Sequence, residues 1–283
     1  MKLTAYIRLM RLDKPIGIIL LWLPTACGLW LANHGVPPVL LVTYFLLGTI
    51  SMRAAGCVIN DIADRHIDKH VQRTFARPLT SGQLSLMGAF IALFLLLLVA
   101  LTIAIQLPKL CFYYAFIGFL ITIIYPFCKR FTHSPQLVLG IAFSMGIPMA
   151  YAACGAAPDQ AMVILLLLNF FWTVAYDTMY AMVDRDDDLQ IGVKSTAVLL
   201  GNFDRMAIGI LLSCCHALWL YLGWLLNFPI IFYGCWLLAI LVLLKQQQLV
   251  NTRHSLACFK AFQLSMYYGL VMWFAVIVGF LIR

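Results

Sequence analysis

Apolar runs of about twenty residues recur nine times along this chain, each long enough to cross the hydrocarbon core of a bilayer. They occupy residues 15–32, 38–59, 86–107, 110–127, 135–154, 162–183, 206–226, 228–244 and 261–282. Breakers separate them: Asn33-His34-Gly35, Gln106 with Pro108, Ser134-Pro135, Pro158-Asp159 and Asn227-Phe228-Pro229. With 64% apolar and 11% charged residues, the composition lies far from that of soluble domains. The expected class is an all-α integral membrane protein of nine transmembrane helices, one polytopic domain over residues 1–283. The third and fourth runs nearly touch and predict a tight helical hairpin. The basic N-terminal stretch has no small-residue cleavage site, so the first helix is expected to stay in the mature chain.

The net charge of +8 would suggest nucleic acid in a soluble protein; here it follows from topology. With a cytoplasmic N-terminus, sixteen Lys and Arg fall on the cytoplasmic side. Only Lys109 and Arg283 fall on the other, and Arg53 lies inside the second run. No nucleic acid and no obligatory protein partner is expected beyond the bilayer itself. The nine Cys contain no CxxC pair and read as small apolar fillers.

The acids are more informative. All eleven are Asp, and eight fall in two windows, 61–68 and 177–188, both at cytoplasmic ends of runs. A solvated face would use Asp and Glu interchangeably. At about 100° per residue from Arg53, Asn60 lies at about −20°, Asp64 at about +20° and Asp68 at about +60°. A helix continuing into the loop would place these oxygen donors on one face, a ledge suited to a hard cation such as Mg²⁺. Asp61 points elsewhere, as a cap or brace. In the second window Asp177, Tyr180, Asp184 and Asp188 form a similar stripe, and Asp186 and Asp187 point off it. Anions are disfavoured at helix C-termini, so these carboxylates need a ligand. Arg53 and Asp177 both lie about two turns inside the membrane, where a charge needs a partner, and each is a candidate for the other.

Basic residues follow each window: Arg73 and Arg77 after the first, Lys194 after the second. Carboxylates, Mg²⁺ and Lys or Arg together form an apparatus for gripping a diphosphate. Arg130, between the fourth and fifth runs, is either a membrane-edge anchor or a reader of an anionic substrate group. Ion-coupled transporters place such acids near the midplane on broken helices, whereas here only Asp177 is deep.

The paired patterns Asn60-Asp61-x-x-Asp64-x-x-x-Asp68 and Asp177-x-x-Tyr180-x-x-x-Asp184-x-x-x-Asp188 resemble those of the UbiA-type intramembrane prenyltransferases. Further similar stretches include Arg11-Leu-Asp13-Lys14-Pro15, Ala76-Arg77-Pro78-Leu79, Thr132-His133-x-Pro135-Gln136 and Lys194-Ser195-Thr196. The resemblance implies a nine-helix bundle around a central cavity capped by two polar loops. It implies Mg²⁺ held by Asn60, Asp64, Asp68, Asp184 and Asp188, and an Arg130 that holds a substrate carboxylate. The activity it implies is transfer of a polyprenyl group from polyprenyl diphosphate to 4-hydroxybenzoate, in ubiquinone biosynthesis at a bacterial inner membrane, with the site on the cytoplasmic side. In that chemistry Arg73, Arg77 and Lys194 would support the leaving diphosphate and Tyr180 would face the allyl cation. Asp64, Asp68, Asp177, Asp184 and Asp188 are the candidate catalytic acids, and which of them touches the phenol stays open.

Overall fold

The structure, a computed structural model, describes residues 2–282, and Arg283 of the charge count lies outside them. The chain is helical throughout: α1 (Lys2–Leu9), α2 (Ile16–Ala32), α3 (Val39–Asp64), α4 (Leu86–Ala104), α5 (Lys109–Phe131), α6 (Pro135–Ser144), α7 (Gly146–Ala153), α8 (Gln160–Ala181), α9 (Arg185–Ile191), α10 (Thr196–Leu200), α11 (Asp204–Leu225), α12 (Ile230–Asn251) and α13 (Ser255–Leu281). Prolines 38, 108 and 229 precede α3, α5 and α12, and Pro135 opens α6; these are positions where a missing N–H costs nothing. Ser85 caps α4 by accepting from the Gly88 N–H at 3.1 Å, and Asp159 caps α8 by accepting from Met162 N–H at 2.7 Å.

Eight helical stretches among the described residues are long and apolar enough to cross a membrane, and Ile16–Ala32 is a further apolar helix of 17 residues. The protein is therefore a multi-pass membrane protein. Its outer faces carry large exposed apolar side chains, such as Phe94, Tyr113 and Leu241, which lipid would cover. The packed core runs through α2, α8, α11 and α13, where Trp30 and Trp22 meet Trp273 edge-on at 5.7 and 6.3 Å. The expected hairpin forms between α4 and α5, joined by residues 105–108.

Two features depart from the sequence reading. The fifth run is split at Met145 into α6 and α7. Pro148 has no N–H for the Ser144 carbonyl, so the helix breaks one turn before it. At that break Gly146 lets α2 approach so closely that a Cβ there would sit 2.0 Å from Thr25 Oγ1. The last two spans also run further than their apolar stretches, to Asn251 for α12 and from Ser255 for α13. Polar residues such as Gln246 continue the helix because the core satisfies them: Gln246 donates to Ala261 O at 2.9 Å and to Ser265 Oγ at 2.8 Å.

Candidate active site

A cavity of about 1550 Å³ opens among α2, α3, α4, α5, α6, α8 and α13. Its deep part is apolar, walled by residues such as Leu97, Leu101, Phe116, Phe119 and Phe143. Its mouth gathers both acidic windows: Asn60, Asp61, Asp68, Asp177, Asp184, Asp187 and Asp188, with Arg73, Arg77, Lys129 and Lys194. The two windows, more than a hundred residues apart in sequence, thus face each other at one end of the bundle.

Neither expected continuous stripe exists. The third helix ends at Asp64, and Asp68 sits on a separate 3-10 turn, Asp68–His70. The eighth ends at Ala181, the chain turns through Met182–Asp184, and α9 starts afresh at Arg185. Charge repulsion and unfavourable C-terminal dipoles would load a continuous helix of aspartates. Folding the chain back over the mouth lets the acids meet basic partners instead. The same turn brings Asp187 to the cavity, against the expectation that it points away; its Oδ2 accepts from the Gln72 N–H at 3.0 Å.

Within the first window every acid has a cation. Asp61, 1% exposed, accepts from Arg11 at 2.8 Å and Arg77 at 3.1 Å, and so braces the loop as expected. Arg77 also donates to Asp68 at 2.7 Å. Asp64, fully buried just behind the cavity wall, is paired with Lys129 in the last turn of α5. Its Oδ1 and the Oδ2 of Asp61 are buried without a partner. Asn60 lines the cavity beside them.

The second window is differently supplied. Arg73, from the first loop, reaches across: Nε donates to Asp184 Oδ1 at 2.8 Å, Nη2 to Asp184 Oδ2 at 2.5 Å, and Nη1 to Tyr180 Oη at 2.6 Å. The guanidinium also lies 4.7 Å from the Tyr180 ring centre, and Phe262 backs that ring at 4.7 Å. Asp177 and Asp188 make no side-chain hydrogen bond or ion pair among the described residues. Burial, then the neighbouring Asp184 charge, push the Asp188 carboxyl up to about 7, although Lys129 and Arg73 pull the other way. Ionised Asp188 is thus held at a cost that an added cation would relieve.

Arg53 lines the cavity about two turns before Asn60 on the same face of α3. The expected ion pair with Asp177 is not formed: among the described residues no carboxylate lies within 4 Å of Arg53. Its Nη1 meets Cys57 Sγ at 2.7 Å and its Nε has no partner. Gly17 makes room for it, since a Cβ there would sit 2.6 Å from the guanidinium. Lys194 lines the mouth and donates to Phe131 O at 3.4 Å, and its backbone N–H donates to Lys129 O. Arg130 does not reach the cavity. It is exposed, stacks 5.0 Å over Phe127 and donates to Ala63 O at 2.8 Å. One residue along a helix turns a side chain by about 100°, so Lys129 faces the mouth and Arg130 faces away. Lys129 and Arg11 are the site residues that sequence reasoning missed. Both stood in the basic segments flanking the spans, where charge bias alone would explain them.

Among the described residues no three His, Cys or Asp side chains stand close enough to make a ready-built metal cage. The donors nevertheless fit a hard cation: all are oxygens, Asp64 Oδ1 is buried and unpartnered, and the Asp188 carboxyl is raised. The carboxylates are spread over both loops with basic groups between them, an arrangement for a metal that arrives with an anionic ligand.

The model of the UbiA prenyltransferase family matches residues 21–276. A protein of Legionella pneumophila named 4-hydroxybenzoate octaprenyltransferase is 58% identical over 273 residues, covering 96% of this chain and 97% of its own. A protein of the same name from Yersinia pseudotuberculosis is 46% identical over 279 residues, covering 99% and 97%. The fold is that of a UbiA homologue from Aeropyrum pernix, with TM-score 0.80, 22% identity and coverage of 92% and 97%. It is also that of a UbiA homologue from Archaeoglobus fulgidus, solved bound to GPP and Mg²⁺, with TM-score 0.72, 21% identity and coverage of 96% and 99%. With its two acidic windows closed over one apolar cavity, this chain belongs to the UbiA prenyltransferase family.

Proposed function

We propose that the chain acts as one polytopic unit that transfers a polyprenyl group from polyprenyl diphosphate to the ring carbon ortho to the hydroxyl of 4-hydroxybenzoate, as a step of ubiquinone biosynthesis. The names of the Legionella and Yersinia relatives support the acceptor and the prenyl donor. The observation that carries the chemistry is Arg73 reaching from the first loop to Asp184 and Tyr180 of the second, which makes the two acidic windows one site. In this reading Ile16–Ala32 is the ninth span, and the bias of sixteen of the nineteen Lys and Arg supports a mouth on the cytoplasmic side, in a bacterial inner membrane.

Asn60, Asp64, Asp68, Asp184 and Asp188 would hold Mg²⁺. Bound there, the metal would neutralise charge on the departing diphosphate and lower the barrier to breaking the allylic C–O bond. Arg73, Arg77, Lys129 and Lys194 surround the mouth and supply the remaining positive charge to its oxygens. Tyr180, backed by Phe259 and Phe262, offers an aromatic face to the developing allyl cation. The apolar depth excludes water from that cation and receives the isoprenoid tail. Arg53, which lines the cavity with no carboxylate partner among the described residues, would seat the acceptor carboxylate, and Asp177, also on the lining, would orient the phenol. Attack by the ring and loss of its proton complete an electrophilic aromatic substitution.

The test is prenyl transfer by the purified protein with Mg²⁺ supplied or chelated. Product is expected only with the divalent ion. Undiminished transfer under chelation would remove the metal from this reading.

A further inference from the structure

An ionic cluster off the cavity lining holds the chain on one side of Asp184, and a hydrogen bond from Ser255 at the cavity lining holds it on the other. Asp204, the first residue of α11 and fully buried, belongs to neither acidic window. Its Oδ2 accepts from Arg185 Nη1 at 3.0 Å, and Arg185 follows Asp184 directly in the chain. Its Oδ1 accepts from Arg253 Nη2 at 2.8 Å and Nε at 3.2 Å, and from the Arg205 N–H at 2.7 Å. On the other side of Asp184, Ser255 Oγ donates to the Val183 carbonyl at 3.2 Å. Arg253 lies in the turn between α12 and α13, and Ser255 opens α13.

That turn is itself over-determined. Arg253 adopts φ 54°, a left-handed backbone unusual for a residue with a side chain. Besides Asp204 it grips Asn202 through the side-chain oxygen at 3.1 Å and the carbonyl at 2.8 Å. Strained backbone persists where surrounding contacts fix it. A buried carboxylate shared by two arginines ties their two segments together, because its charge is costly to bury without them. The stretch it holds, Met182–Asp184 and the start of α9, carries half of the carboxylates and has no long helix of its own to fix them.

We infer that Asp204, with Arg253 and Ser255, is a positioning element that sets the second acidic window in register with the first across the cavity. Asp204 and Arg253 do not line the cavity, whereas Ser255 stands at its lining and acts here through the Val183 carbonyl. The inference rests on the prenyl-transfer reading above, and it assigns the α12–α13 turn a role in metal affinity.

The test uses the full chain in lipid nanodiscs, as wild type, Asp204→Asn and Ser255→Ala, with Mn²⁺ as the probe. Mn²⁺ binding is followed by EPR with geranyl diphosphate present, beside steady-state transfer and thermal unfolding. Asp204→Asn is expected to weaken Mn²⁺ binding about tenfold, about 1.4 kcal/mol, and to lower kcat while the KM for the aromatic acid stays put. Ser255→Ala, which loses one hydrogen bond, is expected to weaken Mn²⁺ binding about threefold. Wild-type Mn²⁺ affinity in Asp204→Asn, with only the unfolding midpoint lowered, would overturn the positioning role. If Asp204→Asn does not fold, unchanged Mn²⁺ affinity in Ser255→Ala overturns it. Absence of Mn²⁺ binding by the wild type would overturn the metal-dependent reading itself and the clamp's role with it.

Discussion

The two acidic loops look alike in sequence and differ in how they are neutralised. In the first, after α3, Asp61, Asp64 and Asp68 are each held by Arg11, Arg77 or Lys129. In the second, around α9, Asp184 borrows Arg73 from the first loop, while among the described residues Asp177 and Asp188 form no ion pair. The one arginine within the second window, Arg185, turns outward to Asp204. The first half therefore supplies positive charge to both, and the second carries the unmet negative charge. A symmetric pair of motifs has become a basic jaw and an acidic jaw. A divalent ion alone would be drawn first to the acidic jaw, and a diphosphate to the basic one. Metal and donor then bind in each other's favour, because each supplies the charge that the other's jaw lacks.

That asymmetry can be broken or sharpened by substitution. The largest effect is expected at Asp188. Asp188→Ala should lose roughly 10³-fold in turnover, the scale of deleting a group that stabilises transition-state charge. It should also raise the Mg²⁺ concentration needed for half-maximal rate more than Asp68→Asn does, because the Asp68 carboxylate is already occupied by Arg77. Equal Mg²⁺ demands in the two variants would erase the distinction between the jaws. Next comes Arg53. Its loss as Arg53→Met should raise the acceptor KM by about 10- to 100-fold, the worth of a charge-assisted hydrogen bond, and leave the KM for the prenyl donor unaltered. A change in the donor KM alone would move Arg53 out of the acceptor seat.

A third pair separates neighbours. Lys129→Ala should cost more than about tenfold in turnover, since it removes a charge-assisted bond at the mouth. Arg130→Ala, at an exposed position off the cavity, should change turnover by no more than about twofold. The reverse order, read from the same steady-state assay, would return the acceptor carboxylate to Arg130. The smallest functional effect is expected far from both jaws. Gly146→Ala forces a methyl against Thr25 at the α6–α7 break and should lower stability by about 1–3 kcal/mol. Thermal unfolding in detergent reads the loss, and activity per folded molecule should hold.

The large scale of this molecule was legible because bilayer thickness dictates it: every apolar run but the fifth, which is broken in two, became a single helix, and both acidic windows fell at one end. Asn60, Asp68, Asp184, Asp188, Arg73 and Arg77 were found from composition and spacing, and all line one cavity. What spacing could not give was where helices stop. The arithmetic that joined Asp64 to Asp68, and Asp177 to Asp188, assumed unbroken helices, and tertiary ion pairs made turning the cheaper outcome. The break at Met145 did have a local signal, Pro148, hidden inside an otherwise uniform apolar run. Lys129 and Asp204 had none. Lys129 is one of sixteen residues that topology alone explains, and Asp204 takes its meaning from Arg253, nearly fifty residues later.

The central claim is that the two jaws act as one unit on one diphosphate, and a double-mutant cycle tests it most directly. Turnover would be measured for Asp64→Ala, Asp184→Ala and the pair, each as folded protein in membranes with saturating Mg²⁺. Residues that act as a unit are strongly non-additive. The pair is expected to lose no more than the worse single variant. Losses that multiply would mean two independent sites, and would contradict the account.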